Sequence, residues 1–341
     1  MVTVPLFFSA CALGYAVAPF AIPGFVVYDA IRRNRQALTR TYLMLLVYFS
    51  CQVIGVTVAG WLWLRYRGDR ERYIAKNYAL KHWWGRAQFN FGRKLYALRV
   101  IVEGDNAIPD GPFILLIRHV STFDNLIPIV MVGDRHQKRL RWVLNRPLLR
   151  DPCIDIVGNR LPNCFVQGDT KDSAREIARV GKLGVNLGPG EGVSLYPEGA
   201  LFSPAKRRRI LEKMREEGDM LALADAAGLR SVLPPRLGGF KALLEASDDA
   251  DIVFCAHAGL EGTAYRSYIA QGSLVGSTLR VKFWRVPRAE LPENPDDWAR
   301  WLNTRWAELD EWVSTTLGVG KGEVYAGPTA LLQVPQEAID A

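Results

Sequence analysis

The chain has 341 residues, 49% of them hydrophobic, which is ample for a core and excludes a disordered protein. A net charge of +8 and a pI near 9.3 favour an anionic partner, whether nucleic acid, an anionic membrane surface or a phosphorylated small molecule. Five scattered cysteines, Cys11, Cys51, Cys153, Cys164 and Cys255, form no C-x-x-C pair, so neither a disulfide framework nor a zinc site organises the fold and no metal is expected.

The first 64 residues choose among these partners. Residues 42–64, "YLMLLVYFSCQVIGVTVAGWLWL", carry no charge and are long enough to cross a hydrocarbon layer about 30 Å thick. Residues 2–28 are equally uncharged but contain Pro5, Pro19 and Pro23, which suits a broken or re-entrant helix as well as a span. Ala16-Val17-Ala18 has the look of a signal-peptide cleavage site. The absence of Lys or Arg before the apolar run, and the second apolar segment close behind, argue that the segment stays. Residues 1–64 are therefore expected to insert into a phospholipid membrane, and no nucleic acid partner is expected. Arginines flank both sides of the second segment (Arg32, Arg33, Arg35 and Arg40; Arg65, Arg67, Arg70 and Arg72), which conflicts with two full spans and favours a shallow hairpin with the rest of the chain on the cytoplasmic face.

Residues 65–98 mix basic and aromatic side chains; the 73–98 stretch suits an amphipathic helix in the interface or one packed on the following domain. Apolar runs at 99–103, 112–118, 140–144, 153–157, 192–196, 230–233, 251–257 and 278–286 read as strands. Helical stretches at 125–132, 169–183, 206–227 and 236–247 alternate with them. The expected fold is α/β, a mixed, largely parallel sheet flanked by helices. Trp298, Trp301, Leu302, Leu309, Trp312 and Val313 recur at helical spacing, as core rather than as a ligand box. The division is 1–64, 65–98, a domain over 99–317 and a weakly patterned tail over 318–341.

The glycines at 181, 184, 188, 190 and 192 form no P-loop, and no G-x-S-x-G, H-E-x-x-H or C-x-x-C occurs, so kinase, serine-hydrolase and zinc-enzyme readings lose support. What remains is "LLIRHVSTFDN", residues 115–125. Here an apolar strand runs into His119, and Ser121 or Thr122 can cap a short helix that brings Asp124 back toward the imidazole. Such a carboxylate fixes the ring tautomer and supports the imidazolium formed when the other nitrogen takes a proton.

A second strand-to-turn stretch, "SLYPEGALFSP" (194–204), delivers Glu198 and Gly199. The two together resemble the glycerolipid acyltransferase family, whose signature joins H-x-x-x-x-D to a later F/Y-P-E-G-T block. "NCFVQGDTKDS", "SVLPPRLGGFKALL" and "DIVFCAHAGLEG" follow in the family's order, over roughly 99–317, and resemble the branch of larger 1-acylglycerol-3-phosphate and lysocardiolipin acyltransferases. The resemblance implies acyl transfer from acyl-CoA or acyl carrier protein to the free hydroxyl of a lysophospholipid, with no resident cofactor. It implies His119 as general base, Asp124 as its orienting partner, and Glu198 and Gly199 in the block that holds the acceptor.

Four positions depart from the family pattern: Gly168 stands where an Arg is usual, Ala200-Leu201 replaces Thr-Arg, and Arg118 replaces Asn before the His. Basic residues nearby, Arg160, Lys171, Lys206, Arg207, Arg208 and Arg236, are available for the acceptor phosphate, with Lys206, Arg207 and Arg236 the chief candidates. A hydrolase or transacylase using the same His, and a non-catalytic membrane-surface protein, remain open alternatives.

Overall fold

The computed structural model describes residues 3–167, 173–264, 269 and 271–326. Three helices open the chain, α1 (Thr3–Arg32), α2 (Ala37–Tyr66) and α3 (Arg70–Leu95). The first runs unbroken through Pro19 and Pro23 rather than breaking there, and both α1 and α2 are long and apolar enough to cross a membrane. Asp29 of α1 closes the hairpin: its carboxylate accepts the Thr39 N–H at 2.8 Å and the Thr39 hydroxyl at 2.7 Å, so it caps α2 from outside the helix.

The two helices meet different surroundings. Most of α1 is uncovered, with Leu13, Phe20 and Ile31 all more than 60% exposed. By contrast, α2 lies against the rest of the protein along its length: Met44 packs with Tyr96 and Leu274, Gly55 against Cys153, and Ala59 and Leu62 with Tyr78, Val157 and Leu161. The turn joining α1 to α2 also touches the domain. Arg35 donates to the Val275 carbonyl at 3.1 Å, and a Cβ on Gly272 would lie 2.3 Å from the Asn34 carbonyl oxygen. Helix α3 takes the packed alternative, with Gly85 pressed on Ile129 and Lys81 donating to the Leu140 carbonyl.

A seven-stranded sheet follows: β1 (Arg99–Glu103), β2 (Phe113–Ile117), β3 (Arg139–Asn145), β4 (Cys164–Val166), β5 (Glu191–Leu195), β6 (Asp251–Ala258) and β7 (Thr278–Val286), in the spatial order β1-β7-β6-β2-β5-β3-β4. Every pairing is parallel except β6 with β7. The central β2 is buried on both faces. Its odd residues Phe113, Leu115 and Ile117 join a core with Ile127, Trp142 and Phe283, while Ile114 and Leu116 join the opposite core with Phe240, Phe254 and Trp306. Helices α4 (Pro152–Arg160), α5 (Ser173–Gly181), α6 (Pro204–Glu217), α7 (Met220–Gly228), α8 (Leu237–Ala246) and α9 (Trp298–Thr316) surround the sheet, and the tryptophan stripe of α9 is core.

Two of the expected strands are not strands. The run 153–157 lies in α4, because Asp151 caps the helix by accepting the Ile154 N–H and Pro152 takes the first helical position, where its missing N–H costs nothing. The run 230–233 is bent and joins no ladder. Its N–H groups go to side chains instead, Ser231 to Asp310 and Leu233 to Glu198. Strand β4 was not foreseen, and the expected helix over 206–227 is divided at Gly218, whose φ of 75° ends α6. The expected 125–132 helix is a 3₁₀ turn (Thr122–Asn125) followed by a π-helical segment (Pro128–Asp134). Gly168 and Lys171 fall outside the described residues, as do 327–341 of the tail.

Candidate active site

Parallel strands deliver their carboxyl ends to one edge of a sheet. Here β2, β5 and β6 lie side by side in register, Leu116 opposite Leu195 and Ile117 opposite Cys255, so His119, Tyr196–Gly199 and His257 converge. Ser121 caps the 3₁₀ turn by accepting the Phe123 N–H, and Asp124 folds back so that Oδ2 accepts the Val120 and Ser121 N–H groups at 2.6 and 2.7 Å. The same oxygen is 3.3 Å from His119 Nδ1, which leaves Nε2 as the ring nitrogen free for chemistry. Burial pushes the Asp124 carboxyl up, but His257, His119 and the Ser121 N–H outweigh it and hold the group below the ordinary carboxylate range. It stays ionised. The Tyr196 ring packs on His119 with centroids 4.3 Å apart, and its hydroxyl donates to Asn125 Oδ1.

Glu198 is placed beneath the site rather than in it. Only 1% exposed, it accepts the His119 N–H at 2.6 Å and the Leu233 N–H at 2.8 Å, so both oxygens are committed to main chain. Burial pushes its carboxyl up to about 8. Its neighbour Gly199, at φ +65°, does border the cavity, and a Cβ there would lie 2.9 Å from Arg236 Nε.

Two cavities adjoin beside the site, and His119 lies in the wall of the smaller. One, of about 600 Å³, has His119, Asn125, Asn145, Tyr196, Gly199 and Arg236 in its wall. The other, of about 890 Å³, is mostly apolar and runs between α1, α2, α3 and the sheet, past Leu6, Phe7, Met44, Trp84 and Trp142. Thr122, Asn125, Leu144, Pro147 and Leu148 belong to both.

Among the described basic candidates only Arg236 lines the smaller cavity. Arg207 is corrected to a structural residue: it is buried and donates to the carbonyls of Leu229 and Ala227, closing the end of α7. Arg160 likewise donates to the Ala59 carbonyl and ties α4 to α2. Lys206 and Arg208 border neither cavity. Arg118, which replaces the usual Asn, is fully buried in an ion pair with Glu261 at 2.6 Å. The sequence reading assigned no role to His257, although a His at the end of a buried apolar run is the same signal that picked out His119.

The family model for acyltransferases matches residues 99–258. These residues form a domain of the acyltransferase family. All of the strands that converge on His119 lie inside it, as do His119, Asp124, Glu198 and Arg236. The fold of the chain is similar to that of the 1-acyl-sn-glycerophosphate (LPA) acyltransferase PlsC from Thermotoga maritima, with a TM-score of 0.50 and 16% identity over 80% of this chain and 97% of that one. At that identity the likeness concerns the fold. No curated protein matches the chain by sequence. The glycerolipid acyltransferase resemblance read from the two motif blocks, and the mixed, mostly parallel sheet behind two apolar helices, are thereby borne out.

Proposed function

We propose that this acyltransferase moves a fatty acyl chain from acyl-CoA or acyl carrier protein to the free hydroxyl of a lysophospholipid, foremost 1-acylglycerol-3-phosphate, which becomes phosphatidic acid. The observation that carries this reading is the His119–Asp124 pair, with His119 in the wall of a cavity bordered by Arg236 that adjoins a larger apolar cavity at Thr122 and Asn125. A long chain in the apolar cavity gains about 0.8 kcal/mol per buried methylene, and Arg236 suits a phosphate oxygen. The acceptor hydroxyl then meets Nε2. His119 takes its proton as the oxygen attacks the thioester carbonyl; the C–S bond breaks, and the imidazolium returns the proton to the departing thiolate. No acyl-enzyme forms, and such base catalysis contributes roughly 10²–10⁴ in rate.

The uncovered apolar surface of α1 supports attachment to a phospholipid membrane, and the arginine-rich flanks support a cytoplasmic catalytic domain in a cell membrane. The test is acyl transfer by the detergent-purified chain with a panel of lysolipids and both thioester donors. Product with 1-acylglycerol-3-phosphate is expected. Thiol release without any lysolipid would replace the reading with a hydrolase, and no turnover with any pair would reject it.

A further inference from the structure

Below His119, side chains from two neighbouring strand ends exchange hydrogen bonds with each other's main chain. Arg118 donates through Nη1 to the His257 carbonyl at 2.7 Å, and His257 Nε2 lies 2.9 Å from the Arg118 carbonyl. A carbonyl oxygen only accepts, so this contact fixes the His257 tautomer with its proton on Nε2. Nδ1 finds no hydrogen-bond partner among the described residues, and both side chains are fully buried.

The carbonyl that His257 holds belongs to the peptide unit whose other end is the His119 N–H, and that N–H donates to Glu198. A planar peptide unit gripped at both ends has little freedom to rotate. Its orientation decides where the His119 ring stands against Asp124. His257 Nε2 is also 3.7 Å from Asp124 Oδ2, the oxygen that already takes the Val120 and Ser121 N–H groups and faces His119 Nδ1. Among the described residues, the charged groups that act on the ring are Asp124, Arg118 and Glu261, with the Arg118 charge met by Glu261.

We propose that His257 is a positioning residue for acyl transfer: as a neutral imidazole donating through Nε2, it holds the Arg118–His119 peptide and sets the angle at which His119 meets the acceptor hydroxyl. Burial pushes the His257 imidazole below its ordinary value despite the nearby Asp124 carboxylate, in keeping with the neutral form. The inference rests on His119 as the base. Arg118 is the poorer handle for a test, since removing it leaves the buried Glu261 carboxylate without its partner and unsettles the fold itself.

The experiment compares His257→Leu, which fills the space without a donor, with His257→Gln, whose amide reaches about as far as Nε2 and still donates. In the full-length detergent-purified protein, His257→Leu should lose about 10- to 100-fold in kcat with acceptor KM within about threefold, the pattern of a displaced base, and His257→Gln should recover most of it. A merely structural role would reduce the folded fraction and leave turnover per folded molecule unchanged. Wild-type turnover in His257→Leu, a change confined to KM, or no recovery in His257→Gln would overturn the proposal. Should His257→Leu not fold, nitrogen NMR of labelled histidine in the wild-type protein decides without any substrate. A neutral ring protonated on Nε2 from about pH 5.5 to about pH 8 is expected, and a ring that titrates in that range or carries its proton on Nδ1 overturns it. Absence of transfer by the wild-type protein would instead remove the proposed function, and the ring spectrum would still report the geometry.

Discussion

Glu198 holds His119 from below, its Oε1 accepting the His119 N–H at 2.6 Å while its Oε2 accepts the Leu233 N–H at 2.8 Å. Burial nevertheless outweighs these donors and raises the carboxyl from 4.5 to about 8. Below 4.5 the folded and unfolded forms both hold the proton; as pH rises toward about 8 the unfolded chain releases it first, so the group increasingly penalises folding. Thermal stability should therefore contain a component that declines from about pH 5 to about 8, by up to ~1.4 kcal/mol per pH unit, and Glu198→Gln should lack it. Equal slopes for the two proteins would show that Glu198 is ionised throughout.

His119→Ala should abolish transfer in a protein that stays folded and membrane-bound. Asp124→Asn keeps the shape but removes the charge that favours imidazolium, a change that costs up to ~10⁴ in kcat in another His–carboxylate pair. Retention of more than about a tenth of wild-type transfer by folded His119→Ala would limit the base to under ~1.4 kcal/mol and end its assignment.

Arg236 borders the cavity and Arg207 does not, so the two should separate kinetically. Arg236→Ala should raise acceptor KM about tenfold with a smaller effect on kcat, as lost uniform binding does. Gly199→Ala should show the same direction, since its Cβ meets Arg236 at a φ that disfavours Ala. Replacement of Arg207 should lower the melting temperature instead. Rising KM on Arg207→Ala with stability intact would reverse the assignment.

Lys81 lines the apolar cavity, its ammonium donating to the Leu140 carbonyl at 3.0 Å and lying over the Tyr78 and Trp142 rings. Burial brings its pKa down to about 7, so much of it is neutral amine where exposed lysines are charged. Amine-directed acylation at pH 7 should mark Lys81 ahead of surface lysines, and a long-chain thioester analogue should protect it. Labelling indifferent to the analogue would place the acyl chain elsewhere.

The turn between α1 and α2 touches the catalytic domain through Arg35 and Asn34, so the proposed membrane attachment would leave the two on one side. A Cys engineered at Arg35 should stay unlabelled by an impermeant thiol reagent in intact cells; labelling would put the turn outside. Gly272→Ala should loosen this docking, because its Cβ would strike the Asn34 carbonyl.

The sheet was legible where buried parallel strands leave unbroken apolar runs, as at 113–117 and 251–258. The run 153–157 has the same look, and only the Asp151-Pro152 cap distinguishes it. His119 and Asp124 were legible because their pairing is local, five residues apart across one capped turn. Arg118 with His257, Glu198 with His119, and Glu198 with Leu233 were not; these partners lie 139, 79 and 35 residues apart and meet only through the order of the strands. For the same reason the role that the family resemblance implied for Glu198, holding the acceptor, differs from its place in the structure: a P-E-G turn shows where the carboxylate starts and not which way it faces.

The larger cavity takes one wall from the catalytic domain and another from Leu6, Phe7, Met44, Leu45 and Tyr48 of the apolar hairpin. On the proposed function, attachment and chain capture would be inseparable in this architecture. Shortening the protein at its amino end to gain a water-soluble catalyst would open that space to solvent, and on the proposed function would leave the base with nothing to retain the greasy half of its substrate. On that reading the hairpin would belong to the reaction vessel together with the sheet that carries His119.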